Sequence, residues 1–320
     1  MRKLGLIAFA FACTVTAAAA EYPDHPIRFV VPQAPGSNTD LYARLLGAEM
    51  GKSLGQQLII ENRPGGAFVI GLDAIAKSPP DGYTIGVGLI GGMALTPHMV
   101  AKLPYDVLKD FEPIGMIGRG HLMLVVSPQL PVKSVKELID YAKANPGKLS
   151  VASSGNGSPG HIGAELFKNL TGTQITHVPY RGGAAAINDL IGGRVEVMFE
   201  GLASMAPFVL DNRVRALGVS GPTRSPGFPD VPTIAEAGVP GYVAVTWLGV
   251  VAPAKTPRPI IERLNRAVNE ALKSPAMVER FKLIGEDPAP GTPEDYAAVI
   301  KTDFAKWKEV IERAGIKLTE

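Results

Sequence analysis

Ile27-Arg-Phe-Val-Val31 runs directly into Pro32-Gln-Ala-Pro-Gly36-Ser-Asn-Thr-Asp40, and from Asn38 to Leu54 the leucines at 41, 45 and 46 recur at helical spacing. A short apolar run, a Gly/Ser/Asn loop and a 3.6-residue period read as buried strand, turn and helix. The unit returns twice. A strand over 149–153 leads through Ser154-Gly-Asn-Gly157-Ser-Pro-Gly-His161 into a helix over 159–170. A strand over 174–178 leads through Pro179-Tyr-Arg-Gly-Gly183 into a helix over 184–191. Further strands are expected over 57–61, 83–88, 122–127, 195–199, 214–219 and 243–251, and further helices over 135–144, 257–272 and 293–314. Strands alternating with helices predict an α/β fold with mostly parallel sheets. No Gly/Ser-rich linker divides the chain, so two lobes would be joined by strands that cross between them. The runs at 122–127 and 243–251 suit that role. The expected organisation is a discontinuous first lobe, 21–123 and 248–320, around a second lobe over 124–247. Each lobe is a mixed or mostly parallel sheet flanked by helices, with hinge strands between.

The chain of 320 residues is 46% hydrophobic with 36 Gly and 28 Pro, no G-X-Y period, and ample aliphatic residues. That excludes collagen and disorder and assigns the Gly and Pro to loops. Arg2 and Lys3, the apolar stretch from Leu4 to Val15 and Ala17-Ala-Ala-Ala20 form the three parts of a signal peptide, 1–20. The stretch is shorter than the ~20 residues of a spanning helix. Phe11 stands where a lipoprotein signal at Cys13 wants a small residue. Cleavage after Ala20 takes Arg2 and Lys3 from the 32 basic residues, leaving 30 against 30 acids, and takes the single Cys. The mature chain is expected to be neutral, free of disulfides and periplasmic. No basic run or stripe suggests nucleic acid.

The three loops share a chemistry. Helix N-termini carry unpaired N–H groups and a partial positive charge, so a Gly-rich loop that opens a helix is an anion site. Gly36, Ser37, Asn38 and Thr39 supply it in the first loop, Ser154, Gly155, Asn156, Gly157 and Ser158 in the second, and Gly182 in the third. Plain helix capping uses the same residue types. His161, at a helix start, either donates to a ligand carboxylate or caps its own loop, and its spacing to Glu165 suits a solvated i,i+4 contact. Arg181 is a candidate partner for a ligand carboxylate. Glu200, at the end of a strand, faces a ligand in many α/β sheets, yet repels an anion unless it accepts from an amine or hydroxyl. Trp247 suits either a cleft or the core.

Catalytic patterns are weak. Gly155-Asn-Gly157-Ser-Pro-Gly160 matches G-x-G-x-x-G, but no acid follows the next strand to hold a ribose. Asn156 occupies the first Gly of a nucleophile elbow. No two His stand at metal-ligand spacing, so neither a metal nor a cofactor is expected, and the chain reads as a non-enzyme.

In order along the chain come the Pro/Gly loop ending Thr39-Asp40, Glu61-Asn-Arg-Pro-Gly-Gly66, Ser78-Pro-Pro-Asp-Gly-Tyr83, Leu103-Pro-Tyr-Asp106, Lys109-Asp-Phe-Glu-Pro113, and Gly157-Ser158 with His161 and Glu165-Leu-Phe167. Val178-Pro-Tyr180 with Gly182-Gly183, and Phe228-Pro-Asp-Val-Pro-Thr-Ile-Ala-Glu-Ala-Gly238, complete the set. With these motifs the chain resembles the Bug family, periplasmic solute-binding subunits of tripartite tricarboxylate transporters, over nearly all of 22–320. The resemblance implies a hinged, two-lobed binding protein of the periplasmic type II kind, with a carboxylate between the lobes and two membrane subunits as partners. It implies a monomer, a direct carboxylate grip by Ser154–Ser158 with His161, and contacts from Gly36–Thr39 made partly through water. The stretch Gly88-Leu-Ile-Gly-Gly-Met-Ala-Leu-Thr-Pro97 departs from the family in being more apolar. Leu89, Ile90 and Met93 there point toward an aromatic or longer aliphatic acid. A ligand sensor and a dinucleotide-dependent enzyme are the other readings of the same loops.

Overall fold

The computed structural model describes residues 22–180, 182–284 and 286–318. The predicted leader over 1–20, Cys13 within it, and Arg181 lie outside the described residues. The chain forms strands β1 (Ile27–Val31), β2 (Leu58–Asn62), β3 (Thr84–Leu89), β4 (Phe111–Val126), β5 (Ser150–Ser153), β6 (Thr176–Pro179), β7 (Val197–Gly201), β8 (Arg215–Val219), β9 (Val245–Pro253) and β10 (Asp287–Pro288). The helices are α1 (Asn38–Leu54), α2 (Val69–Ala76), α3 (Val135–Ala144), α4 (Pro159–Thr171), α5 (Gly183–Ile191), α6 (Leu202–Leu210), α7 (Arg258–Ala271), α8 (Pro275–Ile284) and α9 (Pro293–Ala314).

The strands follow the order β2-β1-β3-β9-β4-β7-β5-β6. β1 lies parallel between β2 and β3, and β5 lies parallel between β6 and β7. β4 joins these two groups. Its residues Phe111 to His121 pair antiparallel with β9, and from Leu122 onward it pairs with β7 and β8 instead. Two register slips fall in its first half, between Pro113 and Gly115 and between Met116 and Gly118. Those prolines and glycines interrupt the apolar pattern, so the sequence announces only the second half of β4. Gly71 inside α2 and Pro207 inside α6 hide those helices in the same way, and α8 also goes unannounced.

Helix formation elsewhere follows local rules. In α1, Tyr42, Leu46, Met50 and Leu54 recur every four residues on the buried face, and Gly55 closes the helix at φ 71°. α9 begins in a capping box, Thr292 with Asp295, and ends at Gly315 in the left-handed region. Its buried Trp307, Val310 and Ile311 share one apolar cluster with Leu122 and Ile162, so α9 ties the two groups of strands together. A second cluster lies under α1 and α7, and a third under α5 and α6.

Candidate functional site

The first and second loops fold to one backbone plan. Gly36 (φ 80°) and Gly157 (φ 74°) each occupy the left-handed region just before a serine N-cap. Ser37 Oγ accepts from the N–H of Asp40, and Ser158 Oγ accepts from the N–H of His161, at 3.2 and 3.3 Å. The Ser37 N–H donates to Ala34 O and the Ser158 N–H to Gly155 O, both at 3.2 Å. Finally, the side chain at the third helical position turns back to the glycine. The Gly36 N–H donates to Asp40 Oδ2 at 2.9 Å, and the Gly157 N–H donates to His161 Nδ1 at 3.1 Å. Both glycine N–H groups are therefore spent inside the loops, contrary to the expectation that they face a ligand. The serine hydroxyls accept from backbone and keep a proton to donate.

The plans differ in what the turned-back side chain brings. Asp40, 2% exposed, is a carboxylate in the protein. Burial pushes its pKa up, but Arg44, the Gly36 N–H and Asn62 outweigh burial and hold it below the ordinary range. Arg44 Nε donates to Oδ2 at 2.9 Å and Asn62 Nδ2 to Oδ1 at 2.8 Å. Asn62 also donates to Gln33 O at 3.0 Å, so the Glu61-Asn-Arg motif braces the first loop from β2. Asn38 Oδ1 accepts from Arg280 of α8, and Thr39 is buried in α1.

His161, 5% exposed, is neutral. Burial pushes its pKa down to about 3, helped by His177 and Lys168. Its Nδ1 accepts, so the ring proton sits on Nε2, 3.8 Å from Glu165 Oε1. Of the two roles open from sequence, the geometry shows loop capping, made through Nδ1. Glu165 is buried and held by Lys168 at 2.7 Å, so the pair is not a solvated contact as expected. Sequence reasoning missed His177. Its ring stacks on His161 with centroids 3.7 Å apart and planes 5° apart, and its Nε2 meets Ser153 Oγ at 2.7 Å. Burial, with Lys168, lowers its pKa to about 4. Gly160 lets α4 lie on β7, since a Cβ there would stand 2.1 Å from Phe199 O.

The third loop joins the second, the Gly182 N–H donating to Ser154 O at 3.2 Å. At the carboxyl ends of β5, β6 and β7, Ser154, Gly183, Ile187, Asn188, Glu200 and Phe208 line a cavity of about 470 Å3. Burial raises the Glu200 pKa, with the Gly201 N–H and Ser154 hydroxyl pulling the other way. The structure thus brings together Ser154, the start of α5 and Glu200. Gly36, Ser37, Asn38 and Thr39 lie outside this cavity, as do Ser158 and His161, and Gly157 faces Met99 and Leu318. Asn156 is exposed at the loop tip and Gly155 folds back onto Ser153 Oγ.

Two other signals belong to packing. Trp247 is buried and donates to Asp303 Oδ2 at 2.6 Å. Leu89, Ile90 and Met93 are 8%, 5% and 0% exposed. Met93 lies in the central core and Phe68 covers Gly91 and Gly92, so the apolar stretch carries no information about the ligand. Among the described residues no group of three or more His, Cys, Asp or Glu could hold a metal, and no helix is long and apolar enough to cross a membrane.

The profile of the tripartite tricarboxylate transporter family receptor, TctC, matches residues 42–316. The chain belongs to this family. TctC members are receptors, which bears out the non-enzyme reading. BugT of Bordetella pertussis is 40% identical over 302 residues, 93% of this chain and 91% of BugT. Among solved structures, an R. palustris protein with adipate is 38% identical with a TM-score of 0.79, covering 93% of this chain and 99% of its own. MatC from Rhodopseudomonas palustris, with bound malate, is 33% identical with a TM-score of 0.76, over 91% of this chain and all of its own. BugD, described as a periplasmic binding protein, is 31% identical at a TM-score of 0.76, covering 92% of this chain and 99% of its own. The two-lobed α/β architecture and the Bug resemblance stand on these likenesses.

Proposed function

We propose that this TctC-family chain is a periplasmic receptor that closes its two lobes on an organic carboxylate and passes it to the membrane subunits of a tripartite transporter. The observation that carries the reading is the charge difference between the twin loops. The second holds its helix start with a neutral histidine, leaving the positive pole of α4 and the Ser158 hydroxyl for an anion. The first loop already contains a carboxylate, so Ser37, Asn38 and Thr39 suit the far end of the ligand, reached through water. Neighbours solved with adipate and malate support the carboxylate class. The change of partner along β4 between His121 and Leu122 supports a hinge close to the proposed lobe boundary, with 21–123 and 248–320 on one side and 124–247 on the other. Residues 1–20 act as the cleaved leader, and the mature chain works as a monomer.

Four to six hydrogen bonds to a carboxylate, at about 1.5–3 kcal/mol each, total roughly 6–18 kcal/mol gross. Association costs about 4–15 kcal/mol, so lobe closure and apolar contacts have to add to the about 8 kcal/mol of a micromolar ligand. Calorimetric titration of the mature protein with mono- and dicarboxylates, aromatic acids included, should find at least one micromolar ligand. A panel without binding refutes the reading. Deleting the gene should abolish uptake of the acid so identified, whereas retained uptake would favour a sensing role.

A further inference from the structure

The second loop is held from two sides. On one, the Gly157 N–H donates to His161 Nδ1 at 3.1 Å. On the other, a Cβ added at Gly157 would stand 2.8 Å from Met99 Cε, 2.9 Å from Met99 Sδ and 3.5 Å from Leu318 Cδ2. Met99, 4% exposed, follows the single turn Thr96–His98 and belongs to the central core, against which Ile316 and Leu318 pack. Local structure brings Leu318 there. α9 stops in a Schellman motif: Gly315 takes φ 66°, its N–H donates to Glu312 O, and the Ile316 N–H donates to Ile311 O, both at 3.2 Å. The motif turns Ile316 back onto the core, and two residues later the Leu318 N–H donates to Met99 O at 3.0 Å. One backbone bond and two apolar side chains thus close a clasp over Gly157.

We infer that Leu318 and Met99 are positioning residues, which close on Gly157 and hold the second loop in the shape that presents the Ser158 hydroxyl and the start of α4 to the ligand's carboxylate. This rests on the carboxylate-receptor reading and adds a part to that site. The loop needs holding. Gly155 at φ 139° and Gly157 at φ 74° flank an exposed tip at Asn156, and glycines have the most backbone freedom to lose. The first loop has no such clasp: a Cβ at Gly36 would meet nothing within 4 Å, and Asp40, Arg44 and Asn62 hold that loop by charge instead. A loop ordered before the ligand arrives spares the ordering cost at binding. One that keeps its binding shape about a tenth of the time binds about tenfold more weakly. Met99 and Leu318 lie in the proposed first lobe and Gly157 in the second, so residues of one lobe set the grip made by the other.

The test compares wild type, Leu318→Ala and Leu318→Met by amide hydrogen exchange and by calorimetric titration with succinate, malate, adipate and benzoate. In the free protein, Leu318→Ala should speed exchange of the Gly157 and Ser158 amides by about tenfold, with the interior of α4 and the melting temperature unchanged. It should also weaken the tightest of the four acids by about tenfold. Leu318→Met, which refills the contact with a side chain of similar volume, should restore both to within about twofold. Unchanged loop exchange in Leu318→Ala overturns the clasp. Faster exchange with unchanged affinity overturns its part in binding, and both results leave a carboxylate receptor intact. Protection lost evenly across α4, with a lowered melting temperature, marks a merely structural role and also overturns the inference. Failure of wild type to bind any of the four acids overturns the receptor reading and this one with it.

Discussion

The loops at Gly36–Asp40 and Gly157–His161 share a left-handed glycine, a serine N-cap and a side chain at the third helical position that turns back to the glycine N–H. They differ in whether that side chain is charged. Asp40 places a carboxylate at the positive pole of α1 and requires Arg44 and Asn62 to compensate it. His161 makes the same bond without charge and needs only the stacked His177 and burial. One local fold therefore yields a braced, charged corner in the first loop and an uncharged helix start in the second.

The harshest way to break this comparison is His161→Asp, which gives the second loop the first loop's acid without its arginine and asparagine. Like charges brought together cost several kcal/mol, so binding of the identified carboxylate should weaken by about 1,000-fold in calorimetry. Retained affinity would show that the charge difference does not matter. Next is Asp40→Ala. It removes the acceptor of three charge-assisted bonds and should cost about 3 kcal/mol in urea unfolding, with a smaller effect on the ligand's affinity.

The histidines make a pH prediction. Their folded pKa values, about 3 for His161 and about 4 for His177, lie below the ordinary value of 6.5. Between pH 6.5 and 4 the unfolded chain gains protons that the folded chain does not, so stability is full above 6.5 and falls on acidification. Asp40, with its lowered pKa, adds a loss only at more acidic pH, as the carboxylate range is crossed. Melting temperature should drop across the 6.5 to 4 window, and His177→Gln should flatten that slope. The mildest test pairs Ser37→Ala with Ser158→Ala. Each removes an N-cap and should cost about 1 kcal/mol, but only Ser158→Ala should also weaken the carboxylate, by about tenfold. Equal binding effects would erase the functional distinction between the loops.

Much of this was legible in the chain. The limits of β1, α1, α3 and α9 follow from apolar period and caps, because those signals are local and strong. The serines, glycines and His161 of the loops were also readable as helix-start chemistry. What escaped reading has a common cause. The first half of β4 is written in prolines and glycines whose strand character comes from pairing with β9, 124 or more residues away. His177 sits on a different strand from the histidine it stacks against. The apolar stretch at 88–97 looks like a ligand surface until Phe68 and the central core are seen to cover it.

The sequence alone determined the class of fold, the strand–loop–helix units, the family likeness and the kind of group that opens each helix, because these depend on neighbours within a few residues. Tertiary structure alone decided which N–H groups remain free, which histidine is neutral, and that Glu200 and Ser154 share a cavity. Those outcomes depend on burial and on partners far apart in the chain, and a hydrogen-bond donor becomes a binding group only when the fold has not already used it.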